Sequence, residues 1–177
     1  MSSPGESGSS IPQEMKRILR EDWTTIPFLM IVIAGGIVAM LDFIFLQNLR
    51  FQVYAVAGLI LFLVGAYFRI RARLELRKKA GFESLVGTAR VQIVKEHKLV
   101  KDGLYKHIRH PLYLGEILRN FGFVLFFSSL FGILLVAVSV VFLLFRIRME
   151  ERMLIGVFGE EYKEYMRNTK RLIPYLF

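Results

Sequence analysis

Residues Leu130 to Arg152 read LFGILLVAVSVVFLLFRIRMEER. The first sixteen positions, Leu130–Phe145, carry no charge, and the next seven carry five: Arg146, Arg148, Glu150, Glu151 and Arg152. A helix needs about 20 mainly apolar residues to cross a bilayer, where it must satisfy its own backbone groups. If the helix runs on through the charges, Arg146 and Glu150 lie one turn apart on one face, as do Arg148 and Arg152. The competing reading of that charged stretch is a solvated helix end.

Three further apolar blocks precede it. Ile26–Leu46 carries only Asp42 as a charge, Phe51–Phe68 carries none, and Leu112–Phe127 is interrupted by Glu116, Arg119 and Asn120. At 54% hydrophobic residues and a mean hydropathy of +0.46, the chain is more apolar than an ordinary soluble domain, where about 45–50% is typical. The expectation is an all-α, multi-pass integral membrane protein. Its four transmembrane helices fall at residues 26–46, 51–68, 112–127 and 130–145, and the last two form a C-terminal hairpin through Ser128-Ser129. A soluble bundle of buried helices is the alternative. Residues 1–12, rich in Ser and Gly, read as a disordered tail without the pattern of a signal peptide. Residues 13–177 read as one domain, with Gln13–Asp22 lying on the membrane surface up to Trp23 and Asp42 facing headgroups. Gly35, Gly36, Gly65, Gly122 and Gly132 suit close helix packing.

Lys and Arg number 24. Three precede the first block, Arg50 stands in the first short loop, twelve lie in 69–110, Arg119 is alone in the hairpin, and seven follow from Arg146. Positive residues favour the cytoplasmic side, so the N-terminus, the 69–110 segment and the C-terminus are all expected there. The net charge of +9 therefore points to lipid headgroups rather than nucleic acid. Without cysteine, disulfides, thiol nucleophiles and thiolate metal sites are excluded.

All three histidines lie between His97 and His110, in a basic segment ending Arg109-His110-Pro111-Leu112-Tyr113. A helix around Asp102–Ile108, with Asp102 as its cap, must yield before Pro111. That break frees backbone groups at 107–111, a candidate ligand site at the bilayer edge. No third metal ligand accompanies His107 and His110, and no nucleophile elbow, phosphate loop or dinucleotide fingerprint is present. No metal is expected. Glu116 and Arg119, three apart, can pair on one face.

The motifs His97-Lys98-Leu99-Val100, Gly103-Leu104-Tyr105, Arg109-His110-Pro111-Leu112-Tyr113, Glu150-Glu151 and Phe158-Gly159-Glu160-Glu161-Tyr162, in this order, closely resemble the isoprenylcysteine carboxyl methyltransferase family. The resemblance runs from about Val91 to Pro174. Phospholipid N-methyltransferases share a looser version. It implies S-adenosylmethionine held by cytoplasmic loops and helix ends, without a Rossmann fold. Carried across, His97, Lys98, Leu99 and Val100 would line the cofactor largely through backbone. Tyr105 would pack nearby, His110, Pro111, Leu112 and Tyr113 would wrap its other side, and Gln92 would add a polar contact. Glu150 would meet the cofactor's ammonium, and Arg146 would meet the acceptor. Glu116 and Arg119 are further candidate acceptor contacts.

A carboxylate acceptor, with a pKa of about 4, is already a nucleophile at neutral pH and needs positioning rather than a base. An amine acceptor must first lose a proton. The residues alone leave three functions open. One is methyl transfer to the carboxylate of a lipid-modified, isoprenylcysteine-like or other small amphiphilic acceptor, a second is methyl transfer to a phospholipid amine, and a third is a non-catalytic lipid-binding scaffold.

Overall fold

The computed structural model describes residues 23–46, 51–80 and 99–173. Within them run α1 (Thr25–Phe45), α2 (Phe51–Ala80), a short 3-10 turn (Gly103–Lys106), α3 (Pro111–Phe126), α4 (Leu130–Phe158) and α5 (Glu160–Asn168). Each boundary has a local cause. Pro111 opens α3 at a position where its missing N–H costs nothing. Ser129 caps α4, its hydroxyl accepting from the Gly132 N–H at 2.9 Å. Gly159, at φ 55°, ends α4 in the left-handed region and lets α5 start in a new direction.

The helices pack as two antiparallel pairs, and small residues set both. In the α2–α3 pair the backbones touch. A Cβ at Gly65 would strike the Arg119 backbone, one at Gly58 the Phe126 backbone and one at Gly122 the Phe62 backbone, while one at Gly115 would lie 2.6 Å from the Arg69 nitrogen. Glycines seven apart on each helix keep this seam on one face over two turns. The α1–α4 pair crosses where Gly35 faces Val136 and Gly132 faces Ala39, with Gly132's would-be Cβ 3.1 Å from that of Ala39. Of the glycines expected at such crossings, Gly35, Gly65, Gly122 and Gly132 lie at them, and Gly58 and Gly115 join them.

Three described helices are long and apolar enough to cross a membrane: Thr25–Phe45, Tyr54–Lys78 and Leu130–Phe158. Their outward faces carry Ile33, Ile37, Val56, Ile60, Leu134 and Val138, all exposed, a surface that suits hydrocarbon rather than water. The chain is an integral membrane protein. At 1.5 Å per residue, the 30 residues of α2 and 29 of α4 overshoot a hydrocarbon core of about 30 Å by about 13–15 Å. The overshooting ends, Arg69–Ala80 and Arg146–Phe158, stand on the same side. There α5 packs Tyr162 and Tyr165 on Leu154, and the 3-10 turn packs Tyr105 on Ala72 and Leu76. α3, with 16 residues, lies alongside the Gly58–Arg69 stretch of α2 and is shorter than a straight crossing requires.

Four expectations are corrected. Asp42 is 2% exposed, on the buried face of α1 with Gly35 and Ala39, because that face packs on α4 at Gly132 and Val136 rather than turning toward headgroups. The helix over 102–108 shrinks to the 3-10 turn, and Asp102 offers it a backbone carbonyl, not a side-chain cap. The backbone at 107–110 is not free for a ligand. The Arg109 and His110 N–H groups donate to the carbonyls of Lys170 and Arg171, and His107 accepts from Lys170, closing a parallel bridge between Ile108 and Lys170. The charged continuation of α4 is not a solvated end, since Arg146, Glu150 and Glu151 are all buried. The expected surface segment 13–22 lies outside the described residues.

Candidate active site

Glu150 and Glu151 are neighbours in sequence but sit about 100° apart around the helix, at 3.6 residues per turn, and they meet different partners. Glu151 binds cations. Its carboxylate accepts from Arg109 Nε at 2.9 Å and from Arg171 Nη2 at 2.8 Å and Nε at 3.0 Å, and His110 Nε2 stands 3.4 Å away. Arg109 also donates to the carbonyls of Met166 and Thr169, at 3.0 and 2.5 Å. One buried carboxylate thus ties α4 to the loop before α3 and to the C-terminal segment.

Glu150 faces a different side, across the His110 ring. Its Oε2 lies 4.0 Å from His110 Nδ1, and both atoms are buried without a hydrogen-bond partner among the described residues. The hydroxyls of Tyr105 and Tyr162 share that condition. Burial first, and then the negative charge of Glu150, pushes the Tyr105 phenol well above its ordinary pKa; burial followed by Glu151 and Glu150 does the same to Tyr162. Both phenols are therefore protonated, and both feel the charge of Glu150. The Tyr105 backbone is pinned by the Tyr165 hydroxyl at 2.6 Å. The turn before it is pinned by Glu75 of α2, which accepts from the Leu104 N–H at 2.8 Å.

Tyr113, in the first turn of α3, links the two residues of α4. Its hydroxyl accepts from Arg146 Nε at 3.0 Å and also faces the Glu150 carboxylate. Its ring packs against His110 with centroids 5.6 Å apart, and the Arg146 guanidinium lies 5.9 Å from the ring centre. Arg146 further donates to the Thr25 hydroxyl of α1. On this side a cavity of about 110 Å³ opens between the two helix pairs. Arg146, Tyr113, Glu116, Arg69 and Arg73 line its polar part, and Phe28, Leu29, Leu112 and Leu143 its apolar part.

Of the sequence candidates, His110, Tyr113, Arg146 and Glu150 come together, with Leu112 and Glu116 on the cavity wall. Pro111 starts the helix that carries them. Val100 and Leu99 point to opposite cores, Val100 to α2 with Tyr105 and Leu99 to α5. Arg119 pairs with Glu116 at 2.5 Å but lines a separate cavity with Val32, Gly36, Phe62, Asn120, Phe123, Val124 and Val136. Gln92, His97 and Lys98 lie outside the described residues. Sequence reasoning passed over Arg69, Arg73, Glu75, Arg109, Glu151 and Arg171. Glu151 and Arg109 had local signals, their places in the Glu-Glu pair and in the Arg-His-Pro motif.

The model of the isoprenylcysteine carboxyl methyltransferase family matches residues 58–156, the stretch holding α3, α4 and every residue of the Tyr113–Arg146–Glu150 contact. The chain belongs to that family. It is 31% identical over 131 residues to a protein-S-isoprenylcysteine O-methyltransferase of Schizosaccharomyces pombe, covering 73% of this chain and 53% of that one. It is 34% identical over 136 residues to the Saccharomyces cerevisiae protein of that name, covering 75% and 54%. Methanethiol S-methyltransferase 1 of Bradyrhizobium diazoefficiens is 38% identical over 72 residues, 41% of this chain and 25% of that one. The solved structure of a eukaryotic intramembrane Ras methyltransferase of the isoprenylcysteine carboxyl methyltransferase type superposes with a TM-score of 0.66 at 23% identity. That match covers 86% of this chain and 53% of the other, and it shows a shared fold. The chain spans about half the length of the two yeast relatives.

Proposed function

We propose that this family member is an S-adenosylmethionine-dependent methyltransferase that esterifies the carboxylate of a lipid-modified, isoprenylcysteine-like or similar amphiphilic acceptor at the membrane surface. One observation carries the reading: Tyr113 bridges Arg146 and Glu150, one turn apart on α4, at the polar end of an apolar-walled cavity. The side chains fit the cofactor. Glu150 and His110 offer buried polar atoms that no described residue satisfies, and two protonated phenols stand near them. Glu150 is placed to hold an ammonium, and Tyr105 and Tyr162 to donate to a carboxylate, so the amino-acid end of S-adenosylmethionine has partners for both charges. Leu99, Val100, Pro111 and Leu112 supply backbone and apolar wall, and Gln92, His97 and Lys98 of the preceding segment belong to the same proposed set.

When bound, the cofactor supplies an electrophilic methyl on a sulfonium sulfur. The chain's own work is positioning. Arg146 grips the acceptor carboxylate with two N–H groups, and Tyr113 fixes the guanidinium relative to Glu150. The carboxylate arrives ionised, so no proton moves and no general base is required. Gathering the reactants in a site shielded from water lowers the barrier through orientation and loss of solvent. Glu116, held by Arg69 and Arg119, shapes the polar wall where the acceptor head enters.

The placement proposed is four crossings, with α3 as the short third alongside α2, and with the termini and the site on the cytoplasmic side. The concentration of Lys and Arg at those ends supports it. The test is labelled-methyl transfer by the detergent-solubilised protein to a prenylcysteine analogue and to phosphatidylethanolamine. A base-labile product on the first supports the proposal, and a base-stable product on the amine replaces it with N-methylation. Methanethiol is the third arm, because a cavity of about 110 Å³ is also large enough for a small thiol and some relatives carry that name. Failure of S-adenosylmethionine to bind folded protein would leave only the lipid-binding scaffold.

A further inference from the structure

The cavity beside Arg146 holds more positive charge than one acceptor carboxylate can match. Arg69, Arg73 and Arg146 line it, and among the described residues Glu116 is the one acidic side chain on its wall. Glu116 is already shared, paired to Arg69 on one side and Arg119 on the other, with Asn120 Nδ2 donating to it at 3.3 Å. Arg146 has Glu150 one turn away, with Tyr113 between them. Arg73 has no such counter-charge among the described residues. It lies one turn beyond Arg69 on α2, and its Nε is buried without a hydrogen-bond partner among the described residues. A guanidinium on the wall of a half-apolar cavity, whose buried Nε–H finds no acceptor among the described residues, calls for an oxyanion.

We propose, resting on the acceptor reading above, that Arg73 with Arg69 forms a second anion-holding subsite, distinct from the Arg146 grip. Its ligand is a carboxylate or phosphate. The oxyanion belongs either to the acceptor, which would then carry two anionic groups at its head, or to an anionic lipid whose headgroup enters beside the acceptor. Arg146 engages the reacting carboxylate from α4, while Arg73 and Arg69 approach from α2 across the cavity. The subsite would therefore discriminate among amphiphiles that share one chain and one reacting group.

The probes are S-farnesyl-3-mercaptopropionate, with one carboxylate, and S-farnesylmercaptosuccinate, with two. Their dissociation constants are measured on the purified full chain in neutral detergent, together with the binding of phosphatidylglycerol and phosphatidylcholine by native mass spectrometry. A charge-assisted bond leads us to expect about tenfold tighter binding of the dianion, abolished by Arg73→Gln and kept in large part by Arg73→Lys. If the lipid is the source, the two farnesyl compounds bind alike, and the preference for phosphatidylglycerol disappears in Arg73→Gln. Size-exclusion profiles and unfolding midpoints of both variants establish that they fold. The subsite is overturned if neither the dianion nor the anionic lipid is preferred, or if the preference survives Arg73→Gln. Methyl transfer to the monocarboxylate probe by the unaltered protein reports separately on the acceptor reading, so either idea can fail without the other.

Discussion

Replacing Glu151 with Gln and Glu150 with Gln, two isosteric changes at adjacent positions, should cost very different amounts of stability. Glu151, 4% exposed, accepts three guanidinium N–H bonds between 2.8 and 3.0 Å from Arg109 and Arg171. An amide in its place turns one acceptor into a donor facing those cations. Breaking a buried ion pair by removing one partner costs about 3–5 kcal/mol. Arg109 would keep the Met166 and Thr169 carbonyls, and Arg171, with its side chain 24% exposed, can rehydrate. The expected loss therefore sits at the lower end, about 3 kcal/mol. For a chain of this size, at about 2–4 °C per kcal/mol, that lowers the unfolding midpoint by about 6–12 °C. Glu150 has no donor on Oε2 among the described residues, and Tyr113 stands between it and Arg146, so Glu150→Gln breaks no direct guanidinium pair among them and should shift the midpoint by no more than about 3 °C in either direction. Thermal unfolding in detergent gives both midpoints, and limited proteolysis near Lys170 reports whether the C-terminal segment has come loose. Equal losses for the two variants, or an unchanged midpoint and intact segment in Glu151→Gln, would refute the assignment of separate roles.

The proposed chemistry predicts that Glu150→Ala weakens S-adenosylmethionine binding by calorimetry, at least tenfold for a lost charge-assisted contact of about 1.5–3 kcal/mol. Arg146→Ala should spare that binding and cut transfer; full turnover at subsaturating acceptor would remove the acceptor grip. With a carboxylate acceptor of pKa about 4, transfer should be level between about pH 6 and 8, whereas an amine acceptor would make it climb about tenfold per unit while still protonated. Gly65→Ala should destabilise by about 1–3 kcal/mol or more, because its methyl meets the Arg119 backbone. Gly156→Ala, in the same kind of helix interior but with nothing within 4 Å, should gain about 0.5–1 kcal/mol, so equal midpoints would argue against the α2–α3 seam.

The long spans were legible because lipid imposes a crude constraint, a run of apolar residues, and Ile26–Leu46 or Phe51–Phe68 meets it without any partner. The pairing of Arg146 with Glu150 was legible because helical spacing alone puts them on one face. The role of Glu151 was not. Its neighbour carries the same charge, and only the 100° turn between them, together with the approach of Arg109 and Arg171 from 42 and 20 residues away, separates the ion-paired carboxylate from the one proposed to bind the cofactor. Asp42 was misjudged for a related reason: proximity to a span end suggests headgroups, but which face turns inward depends on the small residues Gly35 and Ala39 beneath it. The loop at 107–110 misled because a proline break frees backbone groups in principle, and the strand-like partner that claims them begins sixty residues later at Lys170. Arg69 and Arg73 read as an ordinary positive span end until the cavity beside Arg146 placed them on its wall.

On the proposed reading, the boundary between Leu143 and Arg146 on α4 has an energetic purpose. An acceptor with a chain of about fifteen carbons has about 10 kcal/mol or more of burial in the bilayer, at roughly 0.8 kcal/mol per methylene, and a water-filled site would forfeit much of it. The cavity avoids that loss by meeting the head where the helices leave the lipid. Phe28, Leu29 and Leu143 line one part of it and Arg146 and Tyr113 the other, so the chain can stay among apolar walls while the carboxylate reaches the guanidinium. Helices that ended at the membrane surface could not do this, because Arg146 and Glu150 would lack the extra turns of α4 that carry them past Tyr113. The overshoot of α2 and α4 is therefore what allows a small, otherwise lipid-filled bundle to hold a polar donor and an apolar acceptor together.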